Sequence, residues 1–281
     1  MNDVNDVFDA QSFWDCFSRY EPACPLKKEL LSVYDVIDST NSELMRRVQN
    51  ASDDCVRNMH RMVVASASQT AGKGRVGRSF YSPDKTGIYF SFLYAPEKSV
   101  SDPAQYTVAT VVGVCRAIEA LFNVETQIKW VNDIYVRGRK VCGILTEGVF
   151  NPERAAVEAV IVGIGINILA GEAMPEELRS KVGGIVGNGG KTGVMRAQLL
   201  ARSIYEIYNI LDGGLDFMPG YRQRFMLSGK KVTVTPLVGD NKTCYEAVAL
   251  GVTDDAGLEV RLSDGVRKVL HTGEVSLHEM Q

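Results

Sequence analysis

Apolar residues recur every three to four positions across residues 105–122, and the same spacing returns across 195–211. Both segments are therefore predicted as long amphipathic helices. Elsewhere the runs are shorter, and residues 33–37, 62–66 and 86–94 are rich in β-branched and aromatic side chains and read as strands. Three further strands are predicted at 127–136, 140–149 and 157–169, the first pair joined through Arg137-Gly138-Arg139 as a hairpin. Asp38, Ser39 and Thr40 offer N-caps to a helix running through residues 43–48. An amphipathic stretch around Phe13-Trp14-Asp15-Cys16-Phe17, broken by Pro22 and Pro25, reads as a short capping helix.

After about Met226 the pattern changes. Lys230-Lys231-Val232-Thr233-Val234-Thr235-Pro236 alternates polar and apolar positions, and Asp254-Asp255-Ala256-Gly257 and Ser263-Asp264-Gly265 mark turns between short strands. That is the pattern of a small antiparallel barrel. A cut near residues 225–228 is expected, giving 1–226, with a helical extension over 1–32, and 227–281.

Composition narrows the classes. With 281 residues, 45% hydrophobic and 23% charged, the chain can bury one large core or two modest ones. A net charge of -3 argues against nonspecific binding to nucleic acid. No apolar run approaches bilayer length, and the acidic start Met1-Asn2-Asp3-Val4-Asn5-Asp6 lacks a basic n-region and an apolar h-region. A cytoplasmic protein that binds neither DNA nor membrane is expected. The six cysteines show no C-x-x-C spacing, and Cys115 and Cys142 lie in apolar runs, as core thiols do. No two of His60, His271 and His278 stand at metal-ligand spacing, so no zinc site is expected.

Four segments carry chemistry. Gly72-Lys73-Gly74-Arg75-Val76-Gly77-Arg78 packs three glycines and three cations into seven residues. Glycine lets backbone amides turn against a ligand, and the cations surround those amides with positive charge, which suits an anion such as phosphate. A solvated Gly–Arg loop reads the same way taken alone. It is not a P-loop, because Gly74 follows Lys73 where a hydroxyl residue would hold magnesium. In Lys129-Trp130-Val131-Asn132-Asp133, a lysine and a carboxylate interrupt an apolar strand, which is costly unless they are paired or serve a ligand. Lys129 and Asp133 would share one face if the strand is straight. Lys129 could neutralise phosphate or developing negative charge, and Asp133 could hold magnesium; an edge strand in water is the plain alternative. In Ile161-Val162-Gly163-Ile164-Gly165-Ile166-Asn167-Ile168 the even positions are apolar, while the odd face bears Gly163, Gly165 and Asn167. Such bare positions mark close approach by a ligand or by another part of the chain. Asp38-Ser39-Thr40-Asn41 is a helix cap that could also hydrogen-bond a polar ring.

Taken in order, these segments resemble the biotin protein ligases. That family pairs a Ser-Thr-Asn segment with G-R-G-R-x-G-R, K-W-P-N-D, R-K-x-x-G-I-L and G-I-G-x-N motifs, then a small barrel. Here they stand as Ser39-Thr40-Asn41, Gln69 with Gly72 to Arg78, Lys129 to Asp133, Arg139-Lys140-Val141-Cys142-Gly143-Ile144-Leu145, and Gly163-Ile164-Gly165-Ile166-Asn167, with Gly273-Glu274-Val275-Ser276-Leu277 like the closing strand. Lys73 stands for the usual arginine, Phe80 for a common tryptophan, and Val131 for the proline. The resemblance implies an α+β fold of the class II aminoacyl-tRNA-synthetase-like type, with a mixed sheet flanked by helices and an SH3-like barrel. It implies ATP and biotin as substrates, Mg2+ as cofactor, and a biotin carboxyl carrier protein as partner, in a monomer or homodimer without a DNA-binding domain. By motif position Ser39, Thr40, Asn41, Gln69, Lys73, Gly74, Arg75 and Lys129 would bind biotin. Gly72, Arg78, Phe80, Asn132, Lys140 and Asn167 would meet the nucleotide, and Asp133 the metal. Lys129 and Arg75 would carry catalysis, with the glycine loop a flap whose cations order only when the ligand's charge arrives. A lipoate or octanoate ligase and a non-catalytic biotin-binding protein are the rival readings.

Overall fold

The computed structural model describes residues 6–21, 26–51, 56–170, 174–187, 192–237 and 243–277. Pro22, Cys24, Pro25, Cys55 and His278 lie outside the described residues. The elements run α1 (Ala10–Phe17), β1 (Leu31–Ile37), α2 (Thr40–Gln49), β2 (Val63–Gln69), β3 (Gly87–Tyr94), α3 (Pro103–Phe122), β4 (Gln127–Lys129), β5 (Asp133–Val136), β6 (Arg139–Asn151), β7 (Ala156–Asn167), α4 (Glu176–Arg179), α5 (Arg196–Leu211) and α6 (Met218–Arg224). They are followed by β8 (Lys231–Thr235), β9 (Tyr245–Val252), β10 (Leu258–Leu262), β11 (Arg267–Leu270) and β12 (Glu274–Leu277).

Seven strands form a mixed sheet in the order β1-β2-β3-β7-β6-β5-β4, with β1 and β2 parallel and the other neighbours antiparallel. One face packs on α3, α5 and α1. The even residues of β7, Val162, Ile164 and Ile166, enter that cluster beside Val112, Leu200 and Phe13. The other face has a smaller cluster in which Leu44 of α2 meets Val64, Leu93 and Ile161. Central β3 is buried along its whole length because both faces are covered. Along β7 the α2 face thus changes from Ile161 to Gly163 and Gly165, so the apolar cover stops and a bare floor begins.

The caps explain where helices begin. Ser39 accepts from the Ser42 amide at the start of α2, and Asp102 accepts from the Ala104 amide, with Pro103 at the first turn of α3. Between β5 and β6, Arg137 and Gly138 both take positive φ, the conformation a two-residue hairpin turn demands. Among the described residues no helix is long and apolar enough to cross a membrane.

Two expectations are corrected. Residues 127–136 are not one strand: the chain reverses at Trp130–Asn132, through a cis peptide bond at Trp130–Val131, and β4 pairs back on β5. The C-terminal strands form an antiparallel sheet, β11-β10-β9-β8-β12, and the expected SH3-like barrel is not closed. β12 pairs with β8, and Gly273 and Glu274 at its start meet arginines of the glycine loop, so that end of the sheet is turned to the cleft.

Candidate active site

A cleft opens over the glycine floor. It is walled by the N-terminus of α2, the glycine loop, the β4–β5 turn, β6 and β12. Of the residues expected from sequence, Ser39, Thr40, Asn41, Gln69, Lys73, Gly74, Arg75, Arg78, Phe80, Lys129, Asn132, Asp133 and Lys140 line it. Gly72 and Asn167 do not. A Cβ on Gly72 would stand 2.5 Å from the Phe80 carbonyl oxygen, so this glycine serves the packing of the loop's own base. Asn167 ends β7, where its carbonyl accepts from the Ile185 amide.

The bare floor is covered by the protein itself. A Cβ on Gly163 would lie 2.0 Å from Asn41 Oδ1, and one on Gly165 would lie 2.4 Å from the Phe80 ring. Gly165 pairs with Gly143 across β6 and β7, and the Phe80 ring also approaches Gly143. Asn41 thereby crosses three strands. It meets Ser91 of β3 on one side and Glu147 of β6 on the other, lying over Gly163 between them. A polar ring follows from this. Asn41 Nδ2 donates to Glu147 Oε2 at 2.6 Å, Ser91 Oγ donates to Asn41 Oδ1 at 2.5 Å, and Ser91 Oγ and Thr40 Oγ1 are 2.6 Å apart. The Thr40 amide donates to Gln69 Oε1 at 2.9 Å, and Gln69 Nε2 donates to Ser82 Oγ at 3.0 Å. Ser91, Ser82 and Glu147 were not singled out in the sequence. They come from elements far along the chain, and only strand pairing brings them here.

At the other end stand the cations. Lys129 and Asp133 do sit side by side, but as cross-strand partners of a hairpin rather than neighbours on one strand. Lys140 Nζ is 2.7 Å from Asp133 Oδ1. Burial holds the Lys129 ammonium below the ordinary lysine range; Asp133 opposes that shift and Lys140 adds to it. The glycine loop is a small closed hairpin, in which the Gly74 amide donates to the Arg78 carbonyl and the Phe80 amide to the Gly72 carbonyl. The amides of Gly74 and Phe80 are therefore spent within the loop. Two of its cations have partners in the protein: Arg75 donates to Asn132 Oδ1 at 3.1 Å and to the Gly273 carbonyl at 3.3 Å, and Arg78 meets Glu274 at 2.5 Å. Val76, a β-branched residue at the tip, takes φ 56, which strains that turn. Asn132 is committed to the fold, since its Nδ2 donates to the Ile144 carbonyl at 2.7 Å.

Among the described residues the cleft offers no all-protein cage for magnesium, an ion usually held by one or two carboxylates together with substrate phosphates. Asp133 already bears Lys140 and faces Lys129, and among the described residues no three His, Cys, Asp or Glu side chains converge.

A polar ring at one end and lysines and arginines at the other define a site for a ligand that is polar at one end and anionic at the other. Residues 33–167 match the Biotin/lipoate A/B protein ligase family. A bifunctional ligase/repressor BirA of Bacillus spizizenii is 35% identical over 55% of this chain and 46% of its own length. A protein of the same name from Bacillus subtilis is 29% identical over 85% of this chain and 71% of its own length. The chain thus spans under half of the first relative and about seven-tenths of the second. In three dimensions the chain is similar to a biotin protein ligase from Aquifex aeolicus in complex with biotin and ATP, with a TM-score of 0.71 and 25% identity over 89% of this chain and 99% of that one.

Proposed function

We propose that this chain is an ATP-dependent biotin protein ligase. The observation that carries the reading is the division of one cleft into a buried polar ring around Thr40, Asn41 and Gln69 and a cationic end at Lys129, Lys140 and Arg75. The ring suits a compact headgroup rich in N–H and C=O groups. The cations suit a carboxylate meeting a phosphate.

Two half-reactions follow. A carboxylate oxygen of biotin forms a bond to the α-phosphorus of ATP as the α–β bridging bond breaks, and pyrophosphate leaves. The amine of a carrier-domain lysine then attacks the acyl carbon; the C–N bond forms, AMP departs, and the amine loses a proton to solvent. Neither step calls for a covalent nucleophile from the enzyme, and each is accelerated by positive charge fixed beforehand. Lys129 is the group assigned to the carboxylate and α-phosphate, because it is a partly desolvated ammonium beside the cleft. Arg75 covers the adenylate, and Lys140 and Arg78 meet the nucleotide's remaining charge. Magnesium belongs to this reading as part of the nucleotide substrate, carried on its phosphates, with Asp133 serving chiefly to order Lys140. The partner is the biotinyl-acceptor domain of a carboxylase.

The test is an acceptor-modification assay. The protein is incubated with ATP, magnesium, an isolated biotinyl-acceptor domain and either biotin or lipoate, and the acceptor is weighed by mass spectrometry. Addition of one biotinyl group, dependent on ATP, is expected. Addition of lipoyl alone assigns the domain to the lipoate branch, and biotin binding without transfer assigns a binding protein.

A further inference from the structure

We infer that Glu147 is a positioning residue that sets the direction of the Asn41–Ser91–Thr40 hydrogen bonds in the polar ring and so decides that the Thr40 hydroxyl is offered to a ligand as an acceptor. The inference rests on the ligase reading for the identity of that ligand, but its geometry stands on the fold alone.

An ionised carboxylate only accepts, so the group that Asn41 turns toward Glu147 Oε2 at 2.6 Å must be its NH2. Asn41 Oδ1 then faces Ser91 and must accept, which takes the single proton of the Ser91 hydroxyl at 2.5 Å. Ser91 Oγ can now only accept in its 2.6 Å contact with Thr40, so the Thr40 hydroxyl spends its single proton there. The 3.2 Å approach of Thr40 Oγ1 to Gln69 Oε1 is left without a proton, and Gln69 Oε1 is held instead by the Thr40 amide at 2.9 Å. That amide fixes which way Gln69 points, and its NH2 goes to Ser82. One carboxylate therefore orders one side-chain amide and two hydroxyls, and the Thr40 backbone amide orders Gln69. The Thr40 hydroxyl reaches the cleft as a pure acceptor, ready for a ligand N–H and hostile to a ligand carbonyl.

The location agrees with that role. Asn41 is 3% exposed, Thr40 3% and Ser91 0%, so the contacts among them are shielded from bulk water. Glu147 itself is partly exposed and lies 3.9 Å from Lys73 of the glycine loop, which ties the ring's polarity to the flap beside it. Without the carboxylate at 147, the Asn41 NH2 keeps only its long 3.5 Å contact with the Leu145 carbonyl, so the amide can turn over and both directions of the Asn41–Ser91–Thr40 contacts become possible.

The test uses three variants of the whole protein. Glu147→Ala removes the acceptor, and the KM for biotin in biotin-dependent pyrophosphate exchange is expected to rise about tenfold, equivalent to about 1.4 kcal/mol, with the KM for ATP within about twofold of wild type. Asn41→Asp sets two carboxylates against each other and is expected to fail at least as badly. The double variant Asn41→Asp with Glu147→Gln moves the charge across the contact. The carboxylate now at position 41 accepts from Ser91, and the amide now at position 147 donates to that same carboxylate. Direction is restored, and the biotin KM is expected within about threefold of wild type. A purely structural role would give no such recovery. A wild-type biotin KM in Glu147→Ala, or a double variant no better than Asn41→Asp, overturns the inference. A ligand-free measurement separates it from the ligase reading: the Asn41 side-chain NH2 signals in NMR are expected to exchange slowly with solvent in wild type and rapidly in Glu147→Ala. Unchanged proton exchange overturns the role of Glu147, whereas absence of pyrophosphate-exchange activity in the wild type itself overturns only the ligase reading.

Discussion

Lys129 sits where charge is expensive. Burial makes its ammonium easier to deprotonate in the folded protein than in the unfolded chain, so the folded state binds that proton more weakly. Fold stability from this group therefore rises as pH climbs from the depressed value toward the ordinary lysine value, and at neutral pH the charged side chain costs stability. Replacing Lys129 with methionine should raise Tm while reducing adenylation by about 100-fold or more, measured by thermal melting and pyrophosphate exchange. A lower Tm, or a fully active variant, would refute this pairing of cost and use. The same shift predicts that the alkaline limb of adenylation falls below the unperturbed lysine pKa. Asn41 shows the complementary case, a buried amide whose every contact is satisfied and whose direction is dictated by a neighbour.

At the scale of elements, strand β7 divides labour along its length. Up to Ile161 its α2 face fills a core cluster, and from Gly163 it becomes a floor on which other side chains lie. A methyl group at position 163 would drive into Asn41, so Gly163→Ala should cost about 1–3 kcal/mol by denaturant melting and raise the biotin KM along with it. Stability and KM both at wild-type values would mean that Asn41 does not depend on that floor. The glycine loop is held shut by Asn132, Gly273 and Glu274 rather than hanging open. Arg75→Gly removes two of its ties, and leakage of biotinyl-AMP should follow, seen as labelling of bystander lysines on an unrelated protein. Tight retention of the adenylate in that variant would move the covering role elsewhere.

For the molecule as a whole, the question is whether the C-terminal sheet is a separate body. One apolar cluster contains Ile128 and Tyr221 together with Val232, Ala249 and Leu258. Trp130 Nε1 donates to the Ala256 carbonyl at 2.9 Å, Arg222 Nε to the Val252 carbonyl at 3.1 Å, and β12 supplies part of the cleft wall. We propose that the cut near residues 225–228 marks a change of architecture and not of cooperativity. Calorimetry should show one unfolding transition, and Trp130→Phe should lower stability by about 1–3 kcal/mol by leaving the buried Ala256 carbonyl unpaired. Two resolved transitions would make the sheet an independent domain.

Periodicity located the two long helices and most strands, though not the short α4 and α6, because burial imposes a period of 3.6 or 2 on any element with one apolar face. The odd face of β7, the cap at Ser39 and the cation-rich loop were readable for the same reason: each is a local pattern with a local physical cause. What the pattern could not hold was the reversal at Trp130–Asn132, since an apolar run with no glycine reads as one strand. Nor could it show the open C-terminal sheet, because closure depends on what one edge strand meets across the cleft. Glu147, Ser91 and Ser82 look like ordinary polar positions until strand pairing sets them around Asn41 and Gln69. The order of residues was enough to specify which elements form and which side chains carry charge and amide. Which of those groups meet was settled in three dimensions, because hydrogen-bond direction and the pKa of a buried lysine are properties of neighbours far away in the chain.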